Sequence, residues 1–402
     1  MPDCTHPSDD LHSFIDSRKD DLRQCLCDLI RARTVNPPGD EHLAAKVLTG
    51  FCDACGIPYE TFEKEPGRTN VVARIGAGRP RVLVPCHLDV VPAGDGWETD
   101  PFEPVVADGR IFGRGAKDNK GPLAAMMLAA AYLKEHEADL PGQLVLVGCA
   151  DEEAGSALGM IYLLAECGLE AECSIVPDAG HSMQLIDVGE KGALFTKVVA
   201  VGRQAHGSTP ERGASALWPV LDFLGRIRDW RPPPPPDGEA SDLFTPATLN
   251  IGAVHAGTVA NMVPGRCEAL IDVRYLPGTD GDALIEHLRS ELAAVEADDD
   301  GVRMDLEVTT HQLPTLVDTE GPLVVALERA TEQVTGHCPK RYGQSGATVA
   351  KFLILRDIPA IGFCCGPEGV AHVAGEWIEL DDLARFAEVM TLAVLDLVGT
   401  RA

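Results

Sequence analysis

Basic residues are scarce in this 402-residue chain: 34 Lys and Arg stand against 62 Asp and Glu, a formal net charge of −28. A field of that sign repels phosphate backbones and anionic lipid, so neither nucleic acid nor a membrane surface is expected as a partner. Long apolar runs are missing too. The longest, 122–133, is too short to span a bilayer. The opening MPDCTHPSDD has no basic start followed by an apolar stretch, so no secretory leader is expected and the protein is read as cytoplasmic. The 13 cysteines lack the dense spacing of a disulfide scaffold; an odd number scattered from Cys4 to Cys365 suits reduced thiols. Cys52 and Cys55 form a C-x-x-C, but no second pair completes a zinc site, and their place at a helix end before Gly56 favours packing. There is no short internal repeat, no P-loop spacing and no G-x-G-x-x-G joining the first strand to a helix, which argues against a nucleotide enzyme.

What is present is an ordinary globular composition, 45% apolar and 24% charged, long enough for two or three domains at about 150 residues each. Apolar spacing predicts helices over 10–30 and up to Cys55, the first ended by Pro37-Pro38-Gly39. Strands follow at 70–75 and 82–86, a helix at 122–134, a strand at 143–150, a helix after Ser156 and a strand at 173–176. Alternating strands and helices predict an α/β fold with a mostly parallel sheet covered on both faces. Between 189 and 309 the order becomes β-α-β-β-α-β, a ferredoxin-like unit inserted into a first domain made of 1–188 and 310–402. Pro232 to Pro236 read as a stiff extended loop within the insert.

The chemistry gathers where apolar strands end. The strand 82–86 runs into His87-Leu88-Asp89, the strand 143–150 into Asp151-Glu152-Glu153, and the strand 173–176 into Asp178, while 358–366 is followed by His372. Open parallel sheets hold ligands beyond the carboxyl ends of their strands, so these groups can converge on one crevice. His87 and Asp89, two apart, point the same way in an extended segment; the acid can hold the ring by one nitrogen while the other binds metal. A turn histidine beside a solvated acid is the alternative. Asp118 lies in a glycine-rich turn before a helix, where an acid can cap or can bridge two cations. Adjacent Glu152 and Glu153 are either a solvated turn or, in a dry crevice, need positive charge nearby. Two divalent ions and a bridging hydroxide would neutralise Asp118, Glu153 and Asp178 and leave Glu152 free as a base beside a metal-activated water, which suits a hydrolase.

The run HLDVVPAGDGWETDPFEPVVADGRIFGRGAKDNKG (87–121), DEEAGS (151–156), PDAG (177–180) and the late His372 resemble the di-zinc metallopeptidase family. That family includes succinyl-diaminopimelate desuccinylase, acetylornithine deacetylase, aminoacylase, carnosinase and bacterial dipeptidases. The resemblance implies one metal on His87 and Asp178, the other on Glu153 and His372, Asp118 bridging, Asp89 supporting His87, and Glu152 as general base. It implies that the insert is a lid and dimerisation domain. His206, in Ala205-His206-Gly207-Ser208, would polarise the scissile carbonyl, often in the partner subunit's site; a surface-loop histidine is the alternative. Asn261 and Arg274 match substrate-contact positions, Arg274 having an ion-pair role on its strand as alternative. Gln344 to Lys351 resembles a substrate-carboxylate segment, with Gly346 and Thr348 matching but Ala347 and Val349 departing from it.

The expected activity is hydrolysis of an amide bond in a small peptide. Within the resemblance, a terminal ligand of the Asp178 kind and PDAG followed by Glu190-Lys191-Gly192 lean toward aminopeptidase and dipeptidase members, so a dipeptidase stands first, with an N-acyl-amino-acid deacylase as the alternative and a non-catalytic binding protein below both. Two divalent ions are expected, Zn²⁺ first, with Co²⁺ or Mn²⁺ compatible with the same ligands. A homodimer through the insert is expected.

Overall fold

The computed structural model describes residues 7–178, 182–235, 238–298 and 301–399. Cys4, Ala179 and Gly180 of the PDAG run, and Pro236 lie outside them. The chain divides into two compact units: one runs up to Val188, takes in Val317–Tyr342 and resumes at Ala347, and the other is Gly189–Leu316 with Gly343–Gly346. The second boundary thus falls at Leu316 and not at 309, and a short return segment joins the second unit. Among the described residues no helix is long and apolar enough to cross a membrane.

The first unit is a mixed α/β fold on a large sheet whose strands run in the order Tyr59–Glu63, Thr69–Gly76, Gln143–Cys149, Arg81–His87, Cys173–Val176, Ala360–Gly362, Leu185–Glu190. The four strands from Gln143–Cys149 to Ala360–Gly362 are mutually parallel. The flanks are antiparallel, which corrects the expectation of a mostly parallel sheet. On one side the reason is local: Tyr59–Glu63 and Thr69–Gly76 are joined by a short connection, which permits only antiparallel pairing, whereas parallel neighbours need a long crossover. One face of the sheet buries Leu83, Val145, Val147 and Val176 against Met160 and Leu163 of the helix Met160–Glu166 and Val349 and Leu353 of the helix Val349–Ile354. The helices Lys120–Glu135 and Leu380–Val398 pack on each other and on the sheet strands. The helix Lys120–Glu135 is buried almost all round, so it has only a weak amphipathic signature.

The predicted helix over 10–30 is two, Pro7–Ser17 and Lys19–Arg31, broken at Arg18. The helix His42–Cys55 ends where expected, with Gly56 at φ 65°, a left-handed C-cap that glycine adopts without a Cβ penalty. All described cysteines are free thiols.

The second unit is a four-stranded antiparallel sheet in the order Thr248–Ala256, Arg266–Tyr275, Gly192–Val201, Arg303–Gln312. The helices Leu217–Ile227 and Gly281–Glu296 cover it, and Val220, Phe223, Leu288 and Leu292 are buried on Val198, Cys267, Ala269 and Ile271. A short helix, Gly238–Leu243, lies between the first long helix and the second strand.

Candidate metal centre

Parallel strands deliver their carboxyl ends to one side of a sheet, and the central strand Arg81–His87 lies between Gln143–Cys149 and Cys173–Val176. His87 is the last residue of that central strand, Glu152 and Glu153 follow one neighbour and Asp178 follows the other. Asp118 comes from the glycine-rich turn preceding Lys120–Glu135. That turn is tight for steric reasons: a Cβ on Gly121 would stand 2.2 Å from the Ala116 carbonyl oxygen. Gly113 and Gly115 leave room for the side chains of Ile30 and Val90.

These donors converge. His87 Nε2 lies 2.9 Å from Asp118 Oδ1, while His372 Nε2 lies 3.2 Å from Asp118 Oδ2 and 3.2 Å from Glu153 Oε1. Each Asp118 oxygen therefore faces a different imidazole. Ligand atoms of His87, Asp118 and Glu153 lie within 4.8 Å of one another, and so do those of His87, Glu152 and Asp178. Glu152 is thus as close to the cluster as the acids expected to bind metal, and proximity does not separate a base from a ligand here.

The surrounding hydrogen bonds hold the donors in place. Asp89 is fully buried; its Oδ1 is 3.5 Å from His87 Nδ1, a nitrogen that is 2.9 Å from the Asp89 carbonyl oxygen. The Asp89 carboxylate also accepts the backbone N–H groups of Glu152 and Glu153, each at 3.1 Å, and the side-chain amide of Asn36 at 2.8 Å. It grips the acidic turn as well as the histidine. Asp151, at φ 64°, is clamped by Arg68 at 3.0 Å, and Arg68 makes a two-point ion pair with buried Glu41 at 2.6 and 2.7 Å. Asn119 donates from its side chain to the Pro177 carbonyl, joining the Asp118 turn to the Asp178 segment. Glu376 accepts from the turn that carries Asp118. Asn36, Glu41, Arg68, Asn119 and Glu376 were not singled out from the sequence, because their partners are remote in the chain and no spacing links them.

Crowded buried acids and rings perturb one another. Burial, followed by the charges of Asp178, His87 and Glu153, shifts Glu152, the acids outweighing the ring, so that its pKa stands well above the ordinary carboxylate value. Burial and then Asp118 push Asp178 up to about 6. Asp118 and then Glu153 raise half-exposed His372 to about 10. Burial opposes charge on His87, but Asp118 and Asp89 outweigh it and hold its pKa high. In the absence of cations the cluster keeps protons that a metal would displace.

Of the remaining predicted residues, His206, Asn261, Arg274 and Gly346 belong to the second unit and Thr348 to the first. His206 and Asn261 sit together in the second unit: Gly207 N–H donates to the Asn261 carbonyl at 2.8 Å, and both residues line a cavity of about 370 Å³ with Gln204, Val259 and Met262. His206 is exposed, its Nδ1 2.8 Å from Ser208 Oγ. Arg274 bonds Asp272 through two nitrogens, at 2.8 and 3.2 Å, and lies over the Phe195 ring. Gly346 belongs to the second unit, whereas Thr348 is in the first, capping the helix Val349–Ile354 by accepting from Ala350 N–H at 3.1 Å.

A family model described as peptidase family M20/M25/M40 matches residues 83–396. The chain belongs to that family. A succinyl-diaminopimelate desuccinylase of Gluconacetobacter diazotrophicus is 31% identical over 386 residues, covering 92% of this chain and 96% of the relative. Among solved structures, human carnosine dipeptidase 1 superposes with a TM-score of 0.74 at 19% identity, covering 98% of this chain and 99% of that one. The Bacillus subtilis YXEP protein, a dinuclear metal-binding peptidase of the M20 family, gives 0.70 at 17% identity over 95% and 99% of the two chains. The M20 chain described here is therefore an enzyme of the metallopeptidase and amidohydrolase group. Its donor chemistry fits divalent ions: the set mixes imidazole nitrogens with carboxylate oxygens, which suits Zn²⁺, Co²⁺ or Mn²⁺ and not a thiolate-selected metal.

Proposed function

We propose that this M20 enzyme hydrolyses the amide bond of a small peptide, in the first instance a dipeptide, with two divalent ions, Zn²⁺ first, held by its buried donors. The observation that carries the reading is the convergence of His87, Asp118, Glu153 and His372 with Asp178 and Glu152. In this reading His87 and Asp178 would hold one ion and Glu153 and His372 the other, and Asp118, whose two oxygens face different rings, would be shared between them. Bound ions would supply Lewis acidity, polarising the scissile carbonyl and bringing the pKa of a coordinated water toward about 7. Glu152 takes the proton of the attacking water and passes it to the leaving nitrogen; burial and the neighbouring acids favour its protonated form. Asp89 keeps His87 in one orientation. His206 donates to the carbonyl oxygen as negative charge develops there. Asn261, Arg274, Gly346 and Thr348 are assigned to substrate contact, Arg274 having to share its guanidinium with Asp272.

Dipeptides stand first on the family resemblance, in which a terminal acid of the Asp178 kind and a following Glu190-Lys191-Gly192 lean toward aminopeptidase and dipeptidase members. N-acyl amino acids are the second reading, favoured by the 31% identical relative named for desuccinylation. The domain roles follow the same proposal: the inserted unit acts as a lid and joins two chains in a homodimer. A fully active monomer by light scattering would contradict that part. The deciding experiment compares turnover of a dipeptide panel with that of succinyl- and acetyl-amino acids by the metal-loaded protein. Dipeptide hydrolysis is expected, activity confined to acyl compounds would favour the second reading, and no turnover of either would leave a binding protein.

A further inference from the structure

Glu376 has no exposed surface, follows His372 by four positions and has no part in the chemistry proposed above. Burying a carboxylate is costly unless its oxygens are fully hydrogen-bonded. Both are. Oε2 accepts from Arg114 Nη1 at 2.7 Å and from Gly115 N–H at 3.0 Å, and Oε1 accepts from Lys117 N–H at 2.8 Å and from Asp118 N–H at 3.0 Å. Four donors on two oxygens match the acceptor capacity of a carboxylate. Three of those donors are the backbone N–H groups of Gly115, Lys117 and Asp118, so the acid sits in a nest of N–H groups and sets the path of that turn.

The anchoring works in the other direction as well. The Glu376 carbonyl accepts from Gly113 N–H at 3.0 Å, and directly after it Trp377–Glu379 pairs with Arg110–Phe112. The segment that brings His372 and the turn that brings Asp118 are therefore tied together at one residue. His87 and Asp178 are held otherwise, at the ends of neighbouring parallel strands and, for His87, by Asp89.

We propose that Glu376 is a positioning residue that locks the Asp118 turn to the His372 segment, and so tunes the ion shared by Asp118, Glu153 and His372 more than the ion on His87 and Asp178. This deepens the metal assignment proposed above and rests on it. A role confined to neutralising Arg114 is the competing account, and two substitutions separate them. Glu376→Gln keeps the shape but removes the charge and turns an amide donor toward N–H groups. Glu376→Asp keeps the charge for Arg114 but draws the oxygens back from Lys117 and Asp118. Glu376→Gln leaves Arg114 without its anion and can fail to fold; Glu376→Asp covers that outcome.

The test strips metal from the full-length protein and titrates Zn²⁺ against a chromophoric chelator, with the Co²⁺ visible spectrum as a second readout and thermal melting as a check on folding. Two ions are expected in the wild type. In Glu376→Asp the ion on Glu153 and His372 should weaken by about 10–100-fold and the other, which shares only Asp118 with that turn, by distinctly less, and kcat should recover at excess Zn²⁺ with KM unaltered. Wild-type affinities for both ions in Glu376→Asp, or equal loss of both, would overturn the inference alone. A wild type that binds no pair of divalent ions would overturn the metal assignment and this inference with it.

Discussion

The polar groups of the two units are held by opposite means. In the first unit His87 and Asp89 are buried, and Asp89, the acidic turn at Asp151 and the turn that carries Asp118 are braced by groups from distant parts of the chain: Asn36, Glu41, Arg68 and Glu376. In the second unit His206 is exposed and bonded to Ser208 two residues away, and Arg274 is paired with Asp272 on its own strand. Ion binding needs several ligands at fixed mutual distances, which only a densely bonded interior maintains. A group that meets a mobile substrate needs reach, and local hydrogen bonds leave it that freedom.

Substitutions in the two regions should therefore differ in kind. Glu152→Gln is expected to lower kcat by about 10²–10⁴-fold while metal content stays at the wild-type level, since the base is removed and the ligands remain. Loss of an ion on atomic absorption would instead make Glu152 a ligand and break the division of labour assigned here. His206→Ala in the second unit should lower kcat by about 10²–10³-fold with metal content and melting temperature unchanged, because its ring braces nothing beyond its own loop. A fall in metal content in that variant would erase the contrast between the regions.

The smallest effect is a pH dependence confined to the first unit. Burial and Asp118 raise Asp178 from 3.8 to about 6, so between those values the folded, metal-free chain holds a proton that the unfolded chain has released. Stability from this group is then lost as pH rises through 6. With Asp178 ligating as proposed, bound metal would keep the acid ionised and reverse the slope. The difference in melting temperature between wild type and Asp178→Asn, followed from pH 4 to pH 6 with and without Zn²⁺, isolates the term; a difference that does not change with pH would remove Asp178 from the coupled cluster.

Much of this centre was legible before the fold was known. Apolar strands ending in His87-Leu88-Asp89, Asp151-Glu152-Glu153 and Asp178 place acids and a ring at one edge once the strands are parallel, and those strands are. Sheet direction at the flanks was not legible, because apolar alternation is the same for either pairing. The strand Tyr59–Glu63 was missed since its side chains are mostly exposed and polar. The break at Arg18 left no trace in the periodicity, as Leu11 and Ile15 before it and Leu22 and Leu26 after it are all buried. The assignment of Thr348 to one unit and Gly346 to the other also eluded a reading along the chain.

Residue type and local period determined by themselves which side chains could ligate cations and at which strand ends they stand. Hydrophobicity and donor chemistry are properties of short segments, and they survive without knowledge of the rest of the chain. Only the tertiary structure decided that a carboxylate at 376 would hold the turn at 115–118, or that Asp89 would grip Glu152 and Glu153 as well as His87. Hydrogen bonds to backbone N–H groups leave no pattern in the residues that donate them, so the framework around the donors exists only once distant segments have met.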